Sequence, residues 1–118
     1  MGHRNPMRRY SEQYDALKAE LQTLGFVRQG SIQTRRLRCG KPACRCHRDP
    51  DARHGPYRYW THKVRGKTVS LLLSEDELAL YQEWLENNRE LERVVREMRH
   101  VSSRALALIT DREVPEVP

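Results

Sequence analysis

Hydrophobic positions recur with helical spacing at both ends of the chain. Between residues 7 and 24 they fall at three- and four-residue intervals, which predicts an amphipathic helix that ends near Gly25. A second helix is predicted to start after Ser74, because Ser74 and Glu77 have the spacing of a capping box. Its apolar period continues to Ile109, and about 35 helical residues would span about 50 Å. We expect this helix to pack against the first helix or against another subunit.

Strand patterns lie between the two helices. The runs "YRYWTHKV" and "KTVSLLLS" are rich in aromatic and β-branched residues, and they flank Arg65 and Gly66. This arrangement predicts a β-hairpin, although arginine is not the usual first residue of a two-residue turn. Residues 31–38, "SIQTRRLR", alternate poorly and predict a short third strand.

The hairpin register decides which side chains share a face. If Val64 pairs with Lys67, then Trp60 lies opposite Leu71. One face, predicted to be the core side, then carries Trp60, His62, Val69, Leu71 and Leu73. The opposite face carries Tyr57, Tyr59, Thr61, Lys63, Thr68 and Ser70, a set that suits solvent or a ligand.

All three cysteines lie in the connection before the hairpin. Cys39, Cys44 and Cys46 are followed by His54 in a C-x4-C-x-C-x7-H spacing, and thiolates with an imidazole are the ligands that zinc prefers. An odd number of cysteines in a reducing compartment argues against disulfides. The predicted cofactor is Zn²⁺, with these four residues as ligands. Reduced free cysteines and a redox or iron–sulfur role remain the alternatives.

The net charge of +6 is concentrated around the cysteines. Residues 28–70 carry twelve Arg and Lys against two Asp, whereas residues 71–118 carry six basic against eleven acidic side chains. Such a basic segment attracts polyanions, so nucleic acid is the predicted partner, with DNA favoured over RNA. The candidate contacts are Arg35, Arg36, Arg38, Lys41, Arg45, Arg48, Arg53, Tyr57, Arg58, Tyr59, Lys63, Arg65 and Lys67. The alternative is that the arginines form a solvated surface and the tyrosines pack in the sheet.

Several other classes of protein are disfavoured. Residues 28–70 contain no Glu to act as the proton shuttle of a zinc deaminase, and the chain has no glycine-rich phosphate loop. We therefore expect a binding protein without enzymatic activity or small-molecule substrate. No apolar run is long enough to span a bilayer or to act as a signal peptide, which favours a cytoplasmic protein.

These patterns predict an α+β fold with an N-terminal helix, a small antiparallel sheet with a zinc-binding loop, and a long C-terminal helix. The predicted parts are a helix in residues 1–27 that packs on the C-terminal helix, a Cys/His loop and hairpin module in 28–73, a long helix in 74–109, and a disordered tail in 110–118. The predicted partner or homodimer face on the long helix comprises Tyr81, Trp84, Leu91, Val95 and Met98. A protein–protein adaptor that uses this face is the alternative function.

The motifs "CGKPACRC" and "HGPYRYW", followed by the hairpin and the long helix, resemble a family of uncharacterised small bacterial and archaeal proteins, many of them near mobile elements. The resemblance covers about residues 30 to 108. Its signature matches Cys39, Gly40, Lys41, Cys44, Cys46, His54, Gly55, Pro56, Tyr57 and Tyr59. It implies a zinc or nucleic-acid role. The order of strand, hairpin and helix also resembles the arm-binding domains of tyrosine recombinases, in which a three-stranded sheet enters the major groove.

Overall fold

The computed structural model describes residues 5–117 of the chain. In chain order it contains α1 (Pro6–Gln22), β1 (Ser31–Leu37), β2 (His54–Val64), β3 (Lys67–Leu72) and α2 (Glu75–Thr110). Two short 3₁₀ helices, Arg45–His47 and Pro50–Ala52, lie in the connection from β1 to β2. The predicted α+β fold is confirmed. Residues 1–4 of the predicted first segment and residue 118 of the predicted tail lie outside the described residues.

The chain forms two compact units. The helical unit comprises residues 5–27 and 86–117, and the sheet unit comprises Arg28–Leu85. The first turns of α2 belong to the sheet unit and the rest of α2 belongs to the helical unit.

The helical unit has a small core between α1 and α2. Leu17 of α1 packs with Val94 and Val101 of α2, and Val94 is fully buried. Side chains that pack around them are Tyr10, Tyr14, Leu21 and Met98. The apolar stripe of each helix is therefore buried against the other helix over this length.

The ends of α1 follow from local hydrogen bonds. Asn5 caps the start, since its side chain accepts from the backbone N–H of Met7 at 3.0 Å. The helix ends at Gln22 with Thr23 as its C-cap, and the Thr23 N–H donates to the carbonyl of Glu20 at 3.1 Å. The prediction that Gly25 caps the helix is therefore wrong, because a 3₁₀-type turn closes the helix two residues earlier.

The sheet has the order β1-β2-β3, and both strand pairs are antiparallel. Val64 pairs with Lys67, and Trp60 pairs with Leu71, so the predicted hairpin register is confirmed. The weakly predicted third strand is also present, and its Ile32 pairs with Trp60.

The hairpin turn has two residues, both with positive φ. Arg65 has φ 52° and Gly66 has φ 82°, values that match the right-handed twist of the paired strands. Glycine adopts this conformation without cost, whereas the arginine adopts it with backbone strain.

The core of the sheet unit lies between one sheet face and the start of α2. Trp60 and Leu73 are buried there with Leu85 of α2. Ile32, Leu78 and Tyr81 pack around them. The Trp60 indole N–H donates to the carbonyl of Gln29 at 2.8 Å, which satisfies the polar group of this buried side chain.

The predicted core face is covered only in part. Val69 and Leu71 remain 40% and 43% exposed, so their assignment to the core is wrong. The side chains of α2 pack with Trp60 and Leu73, and neither Val69 nor Leu71 belongs to this core cluster. On the opposite face Thr61 is buried, and its hydroxyl lies 3.3 Å from that of Ser31.

The start of α2 carries the predicted capping box. The Glu77 N–H donates to the Ser74 hydroxyl at 3.2 Å, and the Ser74 N–H donates to the Glu77 carboxylate at 2.9 Å. At the other end, residues 113–117 form neither helix nor strand, and the Glu116 carboxylate lies 2.9 Å from the His100 ring. None of the helices among residues 5–117 combines the length and the apolar character that crossing a membrane requires.

Candidate metal centre and nucleic-acid interface

Four predicted ligands come together at one end of the sheet. Cys39 follows β1 by two residues, Cys44 and Cys46 frame the start of the first 3₁₀ helix, and His54 is the first residue of β2. Their ligand atoms all lie within 4.8 Å of one another, which is close enough to hold a metal ion. The pairing of Leu37 with His54 at the end of the β1–β2 ladder brings the two ends of the loop together.

Two of the distances between these atoms are close to those of a tetrahedral zinc site. The Cys39 and Cys46 sulfur atoms are 3.6 Å apart, and the Cys44 sulfur lies 3.4 Å from Nε2 of His54. Zinc–ligand bonds of about 2.3 Å to sulfur and about 2.0 Å to nitrogen would separate such pairs by about 3.8 Å and about 3.5 Å. A disulfide needs about 2.05 Å between sulfurs, and all three cysteines are free.

Hydrogen bonds and burial shift the pKa values of the Cys44 and Cys46 thiols in the metal-free protein. A hydrogen bond from the Cys46 backbone, with a smaller contribution from the His54 ring, lowers the pKa of Cys44 to about 6. Burial raises the pKa of the Cys46 thiol, although the Cys39 N–H donates to its sulfur at 3.3 Å. At neutral pH the half-buried Cys44 is therefore a thiolate, the form that binds metals.

The connection between Cys46 and His54 is held by local polar contacts. The Asp49 carboxylate accepts from the Asp51 N–H at 3.0 Å and pairs with the Arg45 guanidinium at 3.0 Å. The His47 ring lies outside the cluster, with its Nε2 2.8 Å from the carbonyl of Cys39. These contacts hold the conformation of the loop, which was predicted to bring His54 close to the cysteines.

Gly55 sets the direction in which the chain leaves His54. Its φ is +121°, and a Cβ at this position would lie 2.8 Å from the Arg35 carbonyl oxygen and 2.9 Å from the Tyr57 nitrogen. Both neighbours are backbone atoms of the sheet, so neither can rotate away. Only glycine fits at this position next to the histidine ligand.

The basic residues proposed to contact nucleic acid differ in exposure. Those that are exposed are Arg36, Arg38, Lys41, Arg45, Arg48, Lys63, Arg65 and Lys67. Those that are half-buried are Arg35, Arg53 and Arg58. The Nε of Arg53 is buried and makes no hydrogen bond within residues 5–117. Arg45 is partly neutralised by Asp49, which leaves it less available to a phosphate.

The register divides the proposed contacts between two faces. Because side chains alternate, Tyr57, Tyr59 and Lys63 project from one face of β2, while Arg58 projects from the face of Trp60. We call the former the open face, and define it by Gln33, Arg35, Tyr57, Tyr59, Lys63, Ser70 and Leu72. Exposure along it differs: Tyr57 is exposed and Tyr59 is half-buried.

Sequence reasoning placed Ser70 on this face but missed two members of it, Gln33 and Leu72, and the adjacent Leu37. The poor alternation of residues 31–38 gave no register for β1. Its pairing with β2 sets Gln33 opposite Tyr59 and Arg35 opposite Tyr57. The sequence offered one usable signal, the two-residue spacing of Gln33 and Arg35, which matches that of the tyrosines.

The predicted partner face of α2 takes part in packing within the chain. The Tyr81 ring lies 6.0 Å from the Trp60 ring in the core of the sheet unit, and Met98 packs on the core of the helical unit. The Trp84 carbonyl accepts from the Arg28 N–H at 3.1 Å, while Leu91 and Val95 are half-buried.

Comparison with known proteins yields a family but no described activity. The family model described as a domain of unknown function, DUF6788, matches residues 7–85. The chain belongs to this family. The DUF6788 match contains all four candidate ligands and the whole sheet. It also includes α1 from its second residue onward, a helix that the resemblance noted from the sequence did not cover. No curated protein and no solved structure matches the chain.

Proposed function

We propose that the protein is a zinc-stabilised nucleic-acid-binding protein, with DNA favoured over RNA. The observation that carries the proposal is the Cys39, Cys44, Cys46 and His54 cluster at the end of a sheet whose surroundings are strongly basic. Three thiolates and one imidazole complete a tetrahedral zinc site, and a closed site of this kind supplies folding energy. A role as an accessory factor of a mobile element rests on the sequence resemblance, and action in the cytoplasm rests on the lack of a long apolar run in the sequence.

The ligand set supports a structural rather than a catalytic metal. Catalytic zinc sites keep one position for water or substrate, whereas four protein side chains are available here. In this role Cys46 is the buried anchor of the loop, and Cys44 and His54 close the site from its more exposed side. The protein would then act by binding alone.

The charge of the sheet unit supports a polyanionic partner. The net charge of residues 28–70 is +10, while residues 71–118 carry −5. Exposed arginines and lysines surround both the metal loop and the hairpin tip. Contacts between these cations and phosphates release counterions, so affinity should fall steeply as salt rises.

A salt titration of binding to labelled DNA tests this function with a matched pair of variants. Arg36→Glu combined with Arg38→Glu removes two cations of the sheet unit, and Arg99→Glu combined with Arg104→Glu makes the same charge change in the helical unit. Loss of two phosphate contacts should reduce the slope of log K against log salt by about 1.4 to 1.8 in the first variant only. Equal effects in both variants, or no binding by the wild type, would contradict the proposal.

The adaptor function remains the second candidate because α2 exposes apolar residues near its C-terminal end. Leu106, Leu108 and Ile109 are exposed, unlike most of the face predicted from the sequence. Leu106→Asp combined with Ile109→Asp should then abolish self-association or partner binding and leave DNA binding unchanged. Sedimentation velocity and the salt titration separate the two functions.

A further inference from the structure

The open face combines exposed apolar surface with fixed cations. Tyr57 is 37% exposed, Leu72 is 53% exposed, and the adjacent Leu37 at the end of β1 is 39% exposed. Contiguous apolar side chains left exposed on one face are a feature of binding surfaces.

Arg35 and Tyr59 form a stacked pair on this face. The Arg35 guanidinium lies 4.3 Å from the centre of the Tyr59 ring. Its Nη2 donates to the Gln33 carboxamide oxygen at 2.7 Å and to the Ser70 hydroxyl at 3.3 Å. Contacts to β1, β2 and β3 therefore hold this cation in place, as a preorganised stacking partner should be held.

A groove extends from Tyr59 to the metal loop. The residues that line it are Tyr57, Tyr59, Leu72, Leu37, Arg38 and the candidate metal ligands Cys39 and His54, and its volume is about 410 Å³. The walls are aromatic and aliphatic, and Arg38 is the exposed cation at the side of the metal loop. A groove of this kind suits a flat, partly apolar group that carries a negative charge close to one end.

The geometry points to single-stranded nucleic acid as the ligand of the open face, with one base in the groove stacked on Tyr57 and the adjoining phosphate at Arg38. This inference rests on the proposed function and narrows it. The basic charge of the sheet unit favours a polyanion, and the exposed Tyr57 ring favours a polyanion whose planar groups are free to stack.

An intact duplex fits this face less well. Its bases are stacked on one another, so it presents phosphates and base edges rather than base faces. Docking of a duplex would set the apolar surface of Tyr57, Leu37 and Leu72 against polar groups. Unstacked bases of a single strand cover such surface, and this is how exposed aromatic residues on sheets bind single strands.

Fluorescence anisotropy with a labelled oligonucleotide of about 16 nucleotides tests the inference. The same sequence is used as single-stranded DNA, as single-stranded RNA and as a blunt DNA duplex. The protein variants are Tyr57→Ala, Tyr57→Leu and Tyr57→Phe in the full chain, and thermal melting confirms that each variant is folded. Leucine keeps the apolar contact without the ring, whereas phenylalanine keeps the ring.

The wild type should bind the single strand more tightly than the duplex. Tyr57→Ala and Tyr57→Leu should weaken single-strand binding by about 5-fold to about 150-fold, and Tyr57→Phe should bind like the wild type. The DNA and RNA arms show which strand chemistry is preferred. Tighter binding of the duplex, with no loss in Tyr57→Ala, would overturn this inference while the proposed function stands. Absence of binding to all three probes would overturn both.

Discussion

The substitution Gly55→Ala should damage the metal centre without removing a ligand. Gly55 follows the His54 ligand at φ +121°, and a residue with a side chain adopts such a conformation at a cost of about 1–3 kcal/mol. The new Cβ would also lie 2.8 Å from the Arg35 carbonyl oxygen. Overpacking of this kind costs about a further 1–3 kcal/mol, so the total strain is about 2–6 kcal/mol.

The strain would either weaken metal binding or lower the stability of the folded state, and both effects can be measured. If the backbone moves to relieve it, His54 shifts relative to the cysteines, and a loss of about 2 kcal/mol in metal binding corresponds to about 30-fold weaker affinity. If the backbone does not move, the same free energy is lost from the folded state. Competition with a chromophoric zinc chelator measures the affinity, and chemical denaturation of the zinc-loaded protein measures the stability.

Gly40→Ala is the matched control in the same loop. Gly40 lies next to Cys39, its φ is outside the left-handed region, and among the described residues no atom would come within 4 Å of its new Cβ. It should bind zinc and unfold like the wild type. A Gly55→Ala protein that matches the wild type in both assays, or a Gly40→Ala protein with equal damage, would refute the reasoning.

Three further predictions concern the turn, the helix start and the thiols. Arg65→Asn should raise the free energy of unfolding in urea by about 1 kcal/mol, because asparagine tolerates positive φ at this turn position; a decrease would contradict the assigned strain. Ser74→Ala should lower the stability by about 1 kcal/mol through loss of the N-cap. The Ser74 backbone N–H holds the pKa of Glu77 below its ordinary 4.5, so this carboxylate stabilises the fold above pH 4.5. The stabilisation is lost as pH falls through the lower pKa of the folded state. The free energies of unfolding of the wild type and of Glu77→Ala, measured across about pH 2–7, should therefore converge at the acid end. In metal-free protein, alkylation of Cys44 should reach half its maximal rate near pH 6. Cys46 should react more slowly because it is buried. Mass spectrometry of the modified peptides measures both rates, and faster alkylation of Cys46 than of Cys44 would contradict this order.

Local patterns in the sequence were sufficient for much of the fold. The capping box at Ser74 and the helical period after it placed the start of α2, and the two-residue turn at Arg65 and Gly66 gave the hairpin register. The cysteine and histidine spacing gave four side chains that do come together. Each of these features depends on residues close in the chain or on a fixed periodicity.

Features that depend on long-range packing could not be predicted in the same way. The exposure of Val69 and Leu71 depends on where α2 crosses the sheet, which no local pattern records. Gln33 was assigned to the open face only when β1 was paired with β2, and Leu72 only when its position opposite Tyr59 was known. The stacking of Arg35 on Tyr59 likewise joins two strands whose pairing the weak alternation of β1 left undefined.

The metal content of the untagged protein tests the central claim most directly. After dialysis without chelator, plasma mass spectrometry should find about one zinc per chain in the wild type and in Gly40→Ala, and a marked loss in Cys44→Ser. Zinc is expected because Cys39, Cys44, Cys46 and His54 already lie within 4.8 Å of one another. A folded wild-type protein that retains no metal, or a Cys44→Ser protein that retains all of it, would contradict the account.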